Sequence, residues 1–468
     1  MMQLSFQNYP QHVAALIDAA LAAANPAAAV RQNLARNGQS LTIGRSPIIH
    51  THYPADGRIF LVSAGKAAVA MARAAAGALG EHLHASVIVA KRGERDWQAE
   101  LADSPLAAEP TRHQLFAAGH PISDEVSLAA TQAVAGMLQD TTAHDLVICL
   151  ISGGASALLA APRIPLPDWQ LLTRALLESG CTINELNVVR RQLDAVKGGG
   201  LARWAAPATC VSLILSDVVG NPLEAIGSGP TVAGGGGLAE AVAVLGRYHV
   251  GRKLPISTWE RLLQVLQQLR QQETPPPANR VHNLVIGDVR QAATAALVRA
   301  AQLGFTPQLL TAQLEGEARE VGRVAAALAR DARPGTCLIL GGETTVTLRG
   351  QGRGGRNQEL ALAAALGIAG RPHRVVASLA TDGEDGPTDA AGAIVSGHTV
   401  ARARERKLDA RTYLDRNDSY AFFQKLDAAA AEPPAGEPET AVPSHHIHTG
   451  PTGTNVNDLV FILAYPDA

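Results

Sequence analysis

Short apolar runs alternate with longer alanine-rich or amphipathic stretches along most of this chain. Residues 58–64 (RIFLVSA), 86–90 (SVIVA), 146–151 (LVICLI) and 210–216 (CVSLILS) are continuous apolar runs of strand length, ended by small or charged residues. Continuous rather than alternating apolarity predicts strands buried on both faces, as in parallel sheets covered by helices. Between them, 67–79 (AAVAMARAAAGAL) and 186–196 (LNVVRRQLDAV) predict helices, and 11–36 predicts alanine-rich helix broken around Pro26. A helix over 257–272 leads into Glu273-Thr274-Pro275-Pro276-Pro277, the best linker in the chain. Beyond it the alternation restarts: strand 283–288, helix 291–303, strand 336–348, a helix after Asn357, and strand 374–382. Residues 432–439 (EPPAGEPE) predict a flexible surface loop. The pattern is that of an α/β protein with mainly parallel sheets, divided into domains 1–274 and 278–468.

Composition narrows the function classes. At 468 residues one core is too little, and an apolar content of 47% supports ample burial. No run approaches the roughly 18 to 20 apolar residues of a membrane span. The start, MMQLSFQNYPQ, has neither the basic nor the apolar segment of a signal peptide. Cys149, Cys181, Cys210 and Cys337 are scattered without a CxxC pair, which predicts buried thiols in a reducing cytoplasm. A net charge of −2 gives no footprint for nucleic acid. Of 40 basic residues six are lysines, so a lysine at a glycine-rich turn stands out.

Candidate chemistry gathers where strands end. The run VICLISGGAS (147–156) stops at Ser152-Gly153-Gly154, with Ser156 just beyond. Cβ-free residues with hydroxyl neighbours let an oxyanion approach the backbone, so this loop is a candidate anion cradle. Lys197-Gly198-Gly199-Gly200 is a second one. Lys66 follows the first strand directly, and Asp217 ends LILSD. Glu343 lies in GGETT, Arg353 and Arg356 in GQGRGGRNQE, and Asp382 closes RVVASLATD. Each charged strand end also suits a solvated cap, but together they combine phosphate-binding cations, carboxylates for Mg²⁺ or a proton, and glycine loops. That set suits phosphoryl transfer.

Four other patterns compete for attention. GQGRGG (350–355) matches a dinucleotide fingerprint, yet its two arginines crowd a turn that should press on a pyrophosphate. No G-x-x-x-x-G-K-[ST] exists, and H-R-D and D-F-G are absent. DGEDGPTD (382–389) lacks the alternating ligands of a calcium loop and predicts an acidic turn. His445, His446 and His448 follow a proline-rich stretch and predict solvated histidines rather than a metal site. The tail TGPTGTNVNDLVFIL (449–463) predicts a loop feeding a strand, either anion-binding or a tight turn.

A family resemblance rests on GKAAVAMARAA (65–75), AGHPISDE (118–125), ISGGASALL (151–159) and LNVVRRQLDAVKGGGLA (186–202). LSDVVGNPLEAIGSGPT (215–231), GGETTVTLRGQGRGGRNQELAL (341–362), ATDGEDGPTDAAGAIV (380–395) and TGPTGTNVNDL (449–459) extend it over about residues 10–463. The chain resembles the glycerate 2-kinase family, whose members carry a C-terminal MOFRL domain and are often labelled hydroxypyruvate reductase. The resemblance implies two Rossmann-like α/β domains with an interdomain active-site cleft, and ATP- and Mg²⁺-dependent phosphorylation of D-glycerate to 2-phosphoglycerate. It puts the family's active-site lysine, strand-end aspartate, glutamate and arginine on Lys66, Asp217, Glu343 and Arg356. Phosphoryl transfer then suggests roles: Lys66 and Arg356 on the phosphate or the carboxylate, and Asp217 as acceptor of the C2 hydroxyl proton. Glu343 and Asp382 are the metal candidates. Ser152, Gly153, Gly154, Ser156, Lys197, Gly198, Gly199 and Arg353 complete the expected substrate and nucleotide contacts. The expected partners are D-glycerate and ATP, without nucleic acid or membrane, with a homodimer as the oligomeric expectation. An NADH-dependent hydroxypyruvate reductase and a non-catalytic sensor of small acids are the competing readings.

Overall fold

The computed structural model describes residues 4–38, 40–44, 49–52, 57–93, 96–234, 236–269, 280–428 and 444–466. The predicted linker at 273–277 and loop at 432–439 lie outside the described residues. The chain forms two compact units: Pro26–Ile286, called here the first, and Met1–Asn25 with Gly287–Ala468, the second. Relative to the division expected from the sequence, the helix Tyr9–Ala23 changes units. The reason is packing: this helix lies along Val289–Gln302, and His12 stacks on Tyr465 and hydrogen-bonds its hydroxyl at 2.9 Å.

The first unit begins with a small antiparallel sheet of β1 (Leu34–Asn37), β2 (Ser40–Ile43) and β3 (Ile49–His52). Its main sheet contains β4 (Ile59–Ala64), β5 (Leu83–Lys91), β6 (His113–Ala118), β7 (Leu146–Ile151), β8 (Thr209–Leu215) and β9 (Val281–Gly287). The order is β6-β5-β4-β7-β8-β9, and the pairings from β6 through to β8 are parallel. β4 and β7 are buried at every position, which is why each reads as an unbroken apolar run. The chain winds from β4 outward to β6, then returns to the other side of β4 as β7. Adjacent strand ends then feed loops in opposite directions, the switch point where open α/β sheets bind ligands.

The second unit holds β10 (Thr306–Leu314), β11 (Thr336–Gly342), β12 (Arg374–Ala380), β13 (Gly392–Ser396), β14 (His446–Ile447) and β15 (Asp458–Ala464). Their order is β10-β11-β15-β12-β13-β14, and here the expectation of a mainly parallel sheet fails. Among the described strands of this sheet only β10 and β11 pair in parallel, because β15 returns antiparallel between β11 and β12. β11 also stops six residues short of the predicted strand 336–348. Gly342 takes φ +152, with no room for a Cβ against the Leu314 backbone, and turns the chain out of the sheet. Glu343 N then donates to Leu314 O at 2.8 Å and Thr345 N to Gly316 O at 2.9 Å. Among the described residues no single helix is long and apolar enough to cross a membrane.

Candidate active site

In the first unit the strand register brings three predicted residues to one edge. Ala64 pairs with Ile151 and Ile151 with Ile214, so Lys66, Gly153 and Asp217 all lie two or three residues past paired positions. Lys66 N donates to Gly153 O at 2.8 Å, and Ala67 N donates to Ser152 Oγ at 3.1 Å. Ser152 is thereby buried and holds the Lys66 turn, a positioning role instead of the ligand contact expected of it. A Cβ on Gly153 would sit 2.1 Å from Asp217 Oδ2, so glycine is required for this carboxylate to lie against the loop. A Cβ on Gly154 would sit 3.2 Å from the His120 ring and 3.6 Å from Lys66 Cγ. Among the described residues nothing accepts a hydrogen bond from the amides of Gly153 or Gly154. A lysine, a carboxylate, a histidine and two uncommitted amides thus converge at the β4/β7 switch point.

Ser156 extends the loop inward. Its Oγ lies 2.7 Å from Ser228 Oγ, which donates to Asn187 Oδ1 at 2.8 Å, and it accepts from Arg190 Nη1 at 3.2 Å. Burial lowers the Arg190 guanidinium to about 10, with the charge of Asp194 opposing. Sequence reading missed Arg190 as a site residue. The signal was present, since Arg190 lies four residues after buried Leu186 and three before buried Leu193, on a helix face that should be apolar.

The loop after this helix departs from expectation. Lys197 is 1% exposed, with Nζ donating to Leu159 O and lying 3.9 Å from Asp194 Oδ2. Burial lowers its ammonium to about 8, against the pull of Asp194. Gly198 N donates to Ser228 O at 3.2 Å and Gly199 N to Gly229 O at 2.8 Å. These two amides are spent within the fold, where Gly198 and Gly199 brace the Ser228 turn and Lys197 is held by Leu159 and Asp194.

The second unit gathers its own charges on one sheet edge, because Asp458 is in register with both Gly342 and Ala380. Arg356 Nε and Nη2 both donate to Asp458, the latter at 2.9 Å, while Nη1 lies 3.0 Å from Glu343 Oε1. Asn457 Nδ2 donates to Glu343 Oε2 at 2.9 Å. Burial pushes the Asp458 carboxyl up to about 7, with Arg356 pulling the other way and Asp385 and Glu343 adding to the rise. Arg356 is itself raised: burial works against its charge, and Asp458, Glu343 and Asp385 outweigh it. Asp458 was invisible as a partner because Arg356 stands 102 residues away in sequence. Asp385 is buried and accepts from Asn357 N and Gln358 N, capping the helix Arg356–Ile368, so those amides are also spent.

Asp382 is half-buried, its Oδ1 accepting from Glu384 N at 3.2 Å and its carbonyl from Thr452 N. The Thr/Gly tail loop is a tied turn: Thr452 Oγ1 donates to Thr381 O at 2.6 Å and Thr454 Oγ1 to Ala24 O at 2.7 Å. Arg353 stacks over Tyr420 at 4.5 Å and donates to Pro387 O at 3.0 Å. The fingerprint-like loop around it is committed internally. Arg349 N and Gly350 N donate to Asn417 Oδ1, Gly352 N to Arg416 O, and Arg353 N to Asp418 Oδ1. The histidines also correct expectation: His445 and His446 are buried, and only His448 is exposed. His445 Nδ1 lies 2.6 Å from Asp427 Oδ1. Among the described residues no three His, Cys, Asp or Glu side chains converge as for a metal ion.

Two family models match the chain: a domain of unknown function, DUF4147, over residues 12–263, and the MOFRL family over 336–458. The protein named D-glycerate 2-kinase from Thermotoga maritima is 38% identical over 415 residues, 87% of this chain and 90% of that protein. One named putative hydroxypyruvate reductase from Agrobacterium vitis is 37% identical over 465 residues, 96% of this chain and 93% of that protein. The crystal structure of glycerate kinase from Thermotoga maritima superposes with a TM-score of 0.80 at 34% identity, covering 97% of this chain and 99% of that one.

Proposed function

The chain belongs to the glycerate kinase family, and we propose that Lys66, Asp217 and the Gly153-Gly154 amides at the β4/β7 switch point are its chemical centre. Its activity is the ATP-dependent phosphorylation of D-glycerate to 2-phosphoglycerate. The observation that carries the assignment is the packing of Asp217 against Gly153 beside the Lys66 turn. In the reaction the C2 oxygen of glycerate bonds to the γ-phosphorus, the bond from that phosphorus to the bridging oxygen breaks, and ADP leaves. Asp217 receives the hydroxyl proton as the new bond forms. Lys66 and the two amides offset charge on the transferring group. In the second unit Arg356 keeps donors on both terminal nitrogens after binding Asp458 and Glu343, which supports its reading as a cation for an anionic ligand.

The fit to Mg²⁺ is partial. Both oxygens of Glu343 already face donors, Arg356 and Asn457, so Glu343 is a poor ligand in this arrangement. Asp382 is the better protein oxygen, for a metal that arrives on the nucleotide phosphates and needs few protein ligands. When bound, the metal would offset phosphate charge. The reductase reading would need a turn whose amides receive a pyrophosphate, and those of Arg349, Gly350, Gly352 and Arg353 are committed elsewhere. The free thiols are in keeping with a cytoplasmic enzyme. A homodimer remains the oligomeric proposal, open to light scattering.

The test incubates purified protein with D-glycerate and Mg-ATP, follows ADP, and identifies the phosphorylated carbon by phosphorus NMR. Alongside, hydroxypyruvate and NADH are supplied; steady NADH oxidation in place of ADP release overturns the kinase reading. Asp217→Asn should lower turnover by about 10² to 10⁴. If excess Mg²⁺ restores its rate, Asp217 holds the metal and is not the proton acceptor.

A further inference from the structure

Arg190 is the feature of the first unit that the reaction scheme leaves unused. Its guanidinium is largely withdrawn from water, and among the described residues it makes no salt bridge. Its one hydrogen-bonding side-chain partner there is the neutral hydroxyl of Ser156. The acid whose charge it feels, Asp194, accepts the amides of Ala161 and Val196 on Oδ1, while its Oδ2 lies 3.9 Å from Lys197 Nζ and forms no ion pair with Arg190. A cation taken from water without a counter-charge in contact is costly, so such a group is retained where an anion supplies the missing partner. The residue is not sealed in: it keeps partial exposure, unlike its neighbours Leu186, Asn187, Val188 and Val189. Its anchor Ser156 stands two residues beyond Gly154, the glycine packed beside Lys66 and His120.

We propose that Arg190, held by Ser156, is the carboxylate-binding residue of this enzyme and sets its preference for a 2-hydroxy acid over a neutral polyol. The inference rests on the kinase reading and deepens it. Guanidinium and carboxylate match in a two-point fork, which fixes the acid end. The C2 hydroxyl is then turned toward Asp217, leaving Lys66 for the phosphoryl group. Arg190 is thereby a specificity residue and takes no part in bond making.

The test compares D-glycerate with D-glyceramide, which replaces the carboxylate by a neutral amide. In Arg190→Gln the KM for D-glycerate should rise about 10²-fold, while the KM for ATP stays within about threefold. The preference for D-glycerate over D-glyceramide should collapse, and Arg190→Lys should restore part of it. A variant-free arm treats the native protein with phenylglyoxal and maps arginine modification by mass spectrometry. D-glycerate should protect Arg190 and ATP alone should not. Labelling that ignores D-glycerate, or no labelling at Arg190 at all, overturns the assignment even if neither variant folds. An active wild type with unchanged KM in both variants does the same. Absence of glycerate-dependent ADP formation by the wild type sinks the kinase reading, and this assignment with it.

Discussion

Two lysines of this chain adjoin glycines, Lys66 after Gly65 and Lys197 before Gly198, and burial gives them opposite trades. Lys66 is partly exposed at the turn from β4 into the helix Ala68–Leu79, where the helix dipole makes a cation costly unless an anion balances it. Lys197 has its counter-charge inside the fold, in Asp194. Replacing each by methionine should therefore separate them. Lys66→Met should lower turnover by about 10² to 10³ with an unchanged melting profile, as when one preorganised donor is removed from a transition state. Lys197→Met leaves Asp194 buried without its cation and should cost about 3 to 5 kcal/mol of stability. Turnover per folded molecule should survive it. Denaturant melts and single-concentration rates on the two variants check this, and the reverse pattern would mean that the roles are exchanged. From the sequence the two lysines looked alike, since a glycine neighbour says nothing about whether a side chain points into the core.

At the scale of the element, legibility followed burial. β4, β7 and β8 were readable because strands buried on both faces are apolar at nearly every position, and their ends marked Lys66 and Asp217 without any partner information. What stayed hidden depended on distant pairing. The bidentate grip of Asp458 on Arg356 comes from β15 slotting between β11 and β12, an arrangement no local pattern encodes. The histidines failed for a related reason. Following a proline-rich stretch they suggested solvent, but β14 pairs with β13 and the helix Ser419–Ala428 brings Asp427 to them. His446 packs on Tyr420 at 4.7 Å, and burial lowers it to about 4, with Asp427 opposing. Its Nε2 has no hydrogen-bond partner among the described residues. A histidine depressed from 6.5 to about 4 must stay neutral in the folded protein while the unfolded chain takes up a proton. Its contribution is full above about 6.5 and is lost as pH falls toward 4, with a slope of up to about 1.4 kcal/mol per unit. Urea melts between these limits should show His446→Leu with a shallower pH dependence than wild type. Equal slopes would mean that the neutral form is not favoured at this site.

The whole molecule is discontinuous in sequence, and that has a measurable consequence. The helix Tyr9–Ala23 precedes the first unit along the chain but packs into the second, where Leu16 is fully buried and His12 meets Tyr465 and Phe305. The second unit therefore cannot complete its core until a segment synthesised before the entire first unit has docked. Leu16→Ala removes buried methyl groups from that seam and should destabilise the protein by about 2 to 5 kcal/mol, through lost transfer energy and the cavity left behind. The loss should be local to one unit. In hydrogen exchange, amides of Val289–Gln302 and of β15, which ends at Ala464 beside Tyr465, should open faster. Those of β4, β7 and β8 should keep their wild-type protection, because their core is built from residues of the first unit alone. Faster exchange in β4 and β7 with an unchanged second unit would put this helix with the wrong core. Uniform acceleration in both would mean that the two units open as a single cooperative body, and the Lys66 and Arg356 clusters would then share one stability.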